Sequence, residues 1–142
     1  MKYQRSCGAV VFTRDGDGVK YVIIRMKSGN HGFPKGRAET GETEEETARR
    51  EICEEVGLTV DFADGFKTVD IHPIPGKDFK KHVTYFLAEY KDQTLVAQET
   101  EITDISLLPY DEAVSLLEFE SARRVLREAD RFIKNKDQLS KR

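Results

Sequence analysis

The chain has no tryptophan, only two cysteines and only four prolines in 142 residues, and each scarcity removes a class of protein. Cys7 and Cys53 are too few for the disulfide framework of a small secreted domain, and they lack the paired spacing of a thiolate metal site. They are expected to be reduced and part-buried, as in a cytoplasmic protein. No apolar run approaches the ~18 residues of a membrane helix, and Met1–Arg5 lacks the apolar stretch of a signal peptide. A net charge of −3 gives no global attraction to nucleic acid or an anionic membrane, so phosphate binding must come from local cations. There is no repeat, low-complexity tract or linker. Residues 1–142 therefore read as one domain, with a core at about 3–134 and a frayed tail from Lys136 to Arg142.

Ser6–Thr13 and Tyr21–Met26 are β-rich runs separated by Asp15-Gly16-Asp17-Gly18, the signature of a hairpin. A glycine-studded loop, Ser28–Gly41, precedes a helix expected over Glu44–Val56, with Thr43 and Glu46 as a capping box and Gly57 as its stop. Phe66–Ile71, His82–Tyr90 and Ile105–Leu108 read as further strands. Helices are expected over Asp111–Leu117 and Ser121–Lys134. Strands interleaved with helices imply an α/β fold, a mixed sheet covered on both faces.

The informative segment is Gly36–Leu58. At about 100° per residue, Glu51, Glu54 and Glu55 share one arc of the helix, with Glu44 among them, beside the apolar stripe of Ala48, Ile52 and Val56. Like charges at this spacing repel, and a cation relieves the repulsion. Oxygen-only ligands favour a hard ion, Mg²⁺ or Mn²⁺, over zinc.

Gly36, Glu42, Arg50-Glu51-Ile52, Glu54-Glu55 and Gly57-Leu58 stand at the fixed positions of the Nudix box, and the chain resembles a Nudix hydrolase. The resemblance implies an α/β/α sandwich with a loop-helix-loop box. It makes Glu51, Glu54 and Glu55 metal-binding glutamates, adds the Lys35 carbonyl as a further ligand, and pairs Arg50 with Glu42 as a brace. It also implies cleavage of a pyrophosphate bond. The general base is Glu51 or a glutamate of a later loop; Glu101 matches that loop best and Glu99 second.

Phe33-Pro34-Lys35-Gly36, Gly65-Phe66-Lys67 and the Lys81–Glu89 strand resemble the asymmetric diadenosine tetraphosphate hydrolases, which split their substrate to ATP and AMP. On that likeness Lys35, Arg37, Lys80, Lys81 and His82 are candidate phosphate contacts, and Tyr85 is a candidate for stacking on adenine. The subgroup's tryptophan is absent, with His31 near its place, and Arg37 replaces a histidine. The expected partner is a small-molecule nucleoside polyphosphate, with no membrane and no stable nucleic-acid partner; the oligomeric state is open. Other readings keep the chemistry on RNA 5′-triphosphates, nucleoside triphosphates or inositol pyrophosphates. A different class is a silent nucleotide-binding module, which the retained glutamates disfavour.

Overall fold

The computed structural model describes residues 3–98 and 101–140. The apolar run that the sequence places early becomes β1 (Tyr3–Asp15), buried from Ser6 to Phe12. Such continuous burial arises because both faces of the strand are covered. Cys7, Ala9 and Val11 point into one apolar cluster, Val10 and Phe12 into another. Asp15–Gly18 turns the chain into β2 (Gly18–Met26), paired antiparallel with β1.

The remaining strands are β3 (His31–Gly32), β4 (Lys35–Arg37), β5 (Asp61–Phe62), β6 (Thr68–Pro73), β7 (Lys80–Glu89) and β8 (Ile102–Leu108). β1 and β7 run parallel from Tyr3↔Lys80 to Phe12↔Glu89 and form the centre of a mixed sheet. Beyond β7 lie β5 and β6, both antiparallel to it. On its other side β1 changes partner, pairing with β4 at Ser6–Gly8 and with β2 at Phe12–Asp15. β2 also carries β3 and β8.

Helix α1 (Glu44–Val56) covers one face through Ala48, Ile52 and Val56. Helices α2 (Tyr110–Leu116) and α3 (Glu120–Ser140) cover the other through Ala113, Val125, Leu126, Ala129 and Ile133. The α/β/α sandwich and the box helix are as expected. β3, β4 and β5 are new, each only two or three residues long and set between loop residues. α3 runs to Ser140, past the point where the tail was expected to fray. Two hydrogen bonds from Arg14 to Asp137, at 2.9 and 3.1 Å, hold its last turns. Cys7 is buried as expected, but Cys53 is exposed.

Candidate active site

The box helix starts and stops for local reasons. Thr43 Oγ accepts from the Glu46 amide, while the Glu46 carboxylate accepts from the Thr43 amide at 2.8 Å, a complete capping box. Glu44, Glu45 and Glu46 lie in the first turn, where carboxylates complement the helix dipole. Gly57 ends the helix with φ 74°, a left-handed conformation that costs a side-chain-bearing residue more.

This helix presents its glutamates to a cleft of about 680 Å³. Lys35, Gly36 and Arg37 of β4, Gln4 and Ser6 of β1, and Ile24 and Met26 of β2 line it with Glu51, Glu54, Glu55, Gln98 and Glu101. Glu55 is only 4% exposed. Its Oε2 accepts from the Lys35 amide at 3.1 Å, which ties the helix to β4. Burial raises the Glu55 carboxyl well above the usual carboxylate range, and the neighbouring Glu51 carboxylate raises it further.

Arg50 occupies the middle of this acidic group. Its Nε donates to Glu42 at 2.6 Å and its Nη2 to the other Glu42 oxygen at 3.0 Å, a bidentate pair. Nη2 also donates to the Arg37 carbonyl at 2.9 Å, and Nη1 reaches Glu51 at 2.8 Å and Glu54 at 3.2 Å. The hydrogen bonds from Arg50, then the Glu39 amide, hold Glu42 down at about 2. Arg50 and Glu42 therefore brace the loop before the helix, as the box resemblance implies.

The donor set fits a divalent cation, being all oxygen and including the buried Glu55 carboxyl, whose charged form a nearby cation would favour. The expected ligands share one cleft without converging on a point. Among the described residues, no three Asp, Glu, His or Cys side chains form a preset metal cage. The physical reason is Arg50, whose guanidinium takes the place between Glu51 and Glu54.

The cations also divide. Lys35 and Lys81 line the cleft. Burial, then Lys81 itself, lowers the pKa of Lys35, so two like charges are held together at the edge of the cleft. Arg37 is exposed on the rim. Strand alternation turns Lys80 and His82 to the face of β7 opposite Lys81, and neither lines the cleft. His82 instead meets the Tyr3 ring edge-on at 6.0 Å.

Tyr85 does not line the cleft either. It is 4% exposed, lies within the core cluster and packs edge-to-face on Phe33 at 5.5 Å. Its ring has no free face for a base. His31 is clasped by Glu118, whose carboxylate accepts from the backbone amide at 2.8 Å and pairs with Nδ1 at 2.6 Å. Glu101 lines the cleft, while Glu99 falls outside the described residues.

Sequence reasoning missed Gln4 and Ser6, which line the cleft. Gln4 and Ser6 share the face of β1 that carries Val10 and Phe12, so a polar start to an otherwise apolar face was the available signal.

A NUDIX domain pattern matches residues 2–129. The chain belongs to the Nudix family. Within this family it is similar to the asymmetrical bis(5′-nucleosyl)-tetraphosphatase of Sus scrofa. The two are 30% identical over 141 residues, covering 91% of this chain and 95% of that one. The Rattus norvegicus enzyme of the same name matches at the same identity and coverage. The fold is similar to that of a C. elegans Ap4A hydrolase, with a TM-score of 0.85 and 19% identity over 92% of this chain and 98% of that one. The chain is thus a Nudix hydrolase, and Nudix hydrolases generally use divalent metals.

Proposed function

We propose that this Nudix hydrolase cleaves a bis(5′-nucleosyl) tetraphosphate asymmetrically, releasing ATP and AMP from the diadenosine compound, with Mg²⁺ as cofactor and Mn²⁺ as a substitute. The observation that carries the reading is one cleft lined by both carboxylates and ammonium groups. Glu51, Glu54, Glu55 and Glu101 line it together with Lys35 and Lys81. A polyphosphate needs both: cations along its oxygens, and carboxylates to hold the divalent ion at the bond that breaks. The names of the similar mammalian enzymes support the same substrate class.

Glu51, Glu54 and Glu55 would hold the ion, together with the Lys35 carbonyl and Glu101. When bound, it would neutralise phosphate oxygens and acidify an attacking water. Glu101, on the cleft wall, takes the proton from that water. Lys35, Lys81 and Arg37 pair with the remaining phosphate oxygens. Arg50 holds Glu42, the Arg37 carbonyl and the metal-binding glutamates in register and does not touch substrate. The enzyme acts in the cytoplasm on a small molecule, without a stable nucleic-acid partner.

A substrate panel tests this reading. kcat/KM for diadenosine tetraphosphate is expected to exceed that for GTP, dATP and 5′-triphosphorylated RNA, and to fall in Glu101→Gln protein. A higher kcat/KM for any of the other three would overturn the substrate assignment. Unchanged turnover of Glu101→Gln protein would remove Glu101 as the base.

A further inference from the structure

Strand alternation sorts the residues of the cleft by sheet face. Where β1 pairs with β4, Cys7 stands opposite Gly36, and a Cβ on Gly36 would meet the Glu51 carboxyl group. Ser6 stands opposite Arg37 and Gly8 opposite Lys35, so Lys35 and Arg37 lie on the other face. A Cβ on Gly8 would come 2.5 Å from Lys35 Cβ, which agrees with that placement. The parallel pairing with β7 adds Lys81 to this face, opposite Gln4. Lys35, Arg37, Lys81, Gln4 and Ser6 all line the cleft, as does Glu51. One cleft therefore reaches both faces of β4.

Gln4 and Ser6 are the neutral members of this group, and both have open hydrogen-bonding ends. Ser6 is 2% exposed. Among the described residues its hydroxyl makes no hydrogen bond, and the one side-chain polar atom both sealed and unpartnered is His72 Nδ1. The Ser6 hydroxyl is therefore not sealed, and the cleft is what it faces. The half-buried Gln4 carboxamide is likewise unengaged among the described residues. It stands two residues, roughly 6.6 Å, along β1 from Ser6.

Their neighbours decide what such a pair would take. Arg37 flanks Ser6 and Lys81 flanks Gln4, while Lys35 is near enough to Lys81 for the two charges to disturb each other. Asp70, the carboxylate on this face of β6, is separated from Ser6 by Val83 of β7. Two ammonium groups, a guanidinium, a hydroxyl and an amide make a row of donors, which suits phosphate oxygens. A base would need an aromatic or apolar platform, and the aromatic residue on this face of β7, Tyr85, is packed on Phe33.

Resting on the tetraphosphate reading above, we propose that Ser6 and Gln4 are further substrate-binding residues, which hold bridge phosphates remote from the metal-binding glutamates. The Ser6 hydroxyl and the Gln4 amide donate to oxygens whose charge Arg37 and Lys81 offset. They select for a longer bridge, because the added phosphate is the one that reaches them past β4.

Diadenosine tetraphosphate and triphosphate analogues with methylene groups in place of the bridging oxygens have no anhydride bond. Calorimetric titration with them therefore reads binding apart from turnover. With Mg²⁺ present, the wild type is expected to bind the tetraphosphate analogue about tenfold or more tightly than the triphosphate analogue. Ser6→Ala is expected to weaken tetraphosphate binding about tenfold, as loss of a hydrogen bond to a charged group implies, and to leave triphosphate binding unchanged. Gln4→Glu puts a repelling charge in nearly the same volume. It is expected to act in the same direction, and it carries the test should Ser6→Ala fail to fold. Equal wild-type affinity for the two analogues, or no binding of either, would overturn the proposal. So would tetraphosphate affinity that survives in the variants, or an equal loss for both analogues. Failure to cleave diadenosine tetraphosphate itself, read separately, would count against the function while leaving these titrations decisive.

Discussion

A Cβ added to Gly36 would sit 2.0 Å from the carboxyl carbon of Glu51 and 2.2–2.3 Å from its oxygens. The fixed glycine of the box is thus a packing requirement: β4 approaches α1 so closely that only a hydrogen fits beneath the carboxylate. Gly36→Ala is expected to displace Glu51 or β4, and a displacement near 1 Å costs on the order of 10²-fold in turnover. Steady-state kinetics on the variant check this; near-normal kcat would mean that the contact yields without moving the site.

Arg50 links Glu42 on the loop with Glu51 and Glu54 on the helix. Because Glu42 is held at about 2, below its ordinary value near 4.3, its pairing stabilises the fold fully above the ordinary value. The contribution is lost as pH falls from there toward 2. Arg50→Gln is expected to lower the melting temperature at pH 7 more than at pH 2.5, and to reduce kcat more than it changes KM. An equal melting shift at both pH values would show that the ion pair contributes nothing.

Glu55 titrates the other way. Its carboxyl is raised by burial and by Glu51, so the metal-free fold favours the neutral form. The associated stability is present below about pH 4.3 and declines as pH rises through the neutral range. Glu55→Gln is expected to remove this part of the decline. Magnesium added at pH 7 is expected to release a proton from the wild type, measurable as a buffer-dependent heat, and not from the variant. Proton release equal in both would place the titrating group elsewhere.

Tyr21 is fully buried and donates to Asp130 at 2.6 Å, joining β2 to α3 beneath the helical layer. Tyr21→Phe leaves a buried acceptor with one partner fewer and is expected to cost about 1–3 kcal/mol by denaturant titration. Turnover is expected to remain normal, since the pair lies outside the cleft. A large activity loss with unchanged stability would contradict this separation.

What the sequence revealed and what it hid follow from physics. Helical spacing placed Glu51, Glu54 and Glu55 on one arc, and the structure puts all three on one cleft. Capping residues set both ends of α1 because their hydrogen bonds are local. Tyr85 and Lys81 were harder to separate. They share one face of β7, and whether a position on that face is core or cleft depends on Phe33 and β4, which are remote in sequence. Lys80 and His82 fall outside the cleft for a simpler reason, since period-two alternation sends them to the other face. Arg50 matched a known position, but its seat between Glu51 and Glu54 depends on the three-dimensional path of the Glu42 loop.

The proposed reaction is asymmetric cleavage of a tetraphosphate bridge with a divalent ion that the box glutamates would hold. Its most direct test is anion-exchange analysis of products from diadenosine tetraphosphate and Mg²⁺, with wild-type and Glu54→Gln protein side by side. Equal amounts of ATP and AMP from the wild type, lost on adding a chelator and reduced at least about 10²-fold in the variant, are the predicted result. ADP as the main product, or an undiminished yield from Glu54→Gln protein, would contradict the account.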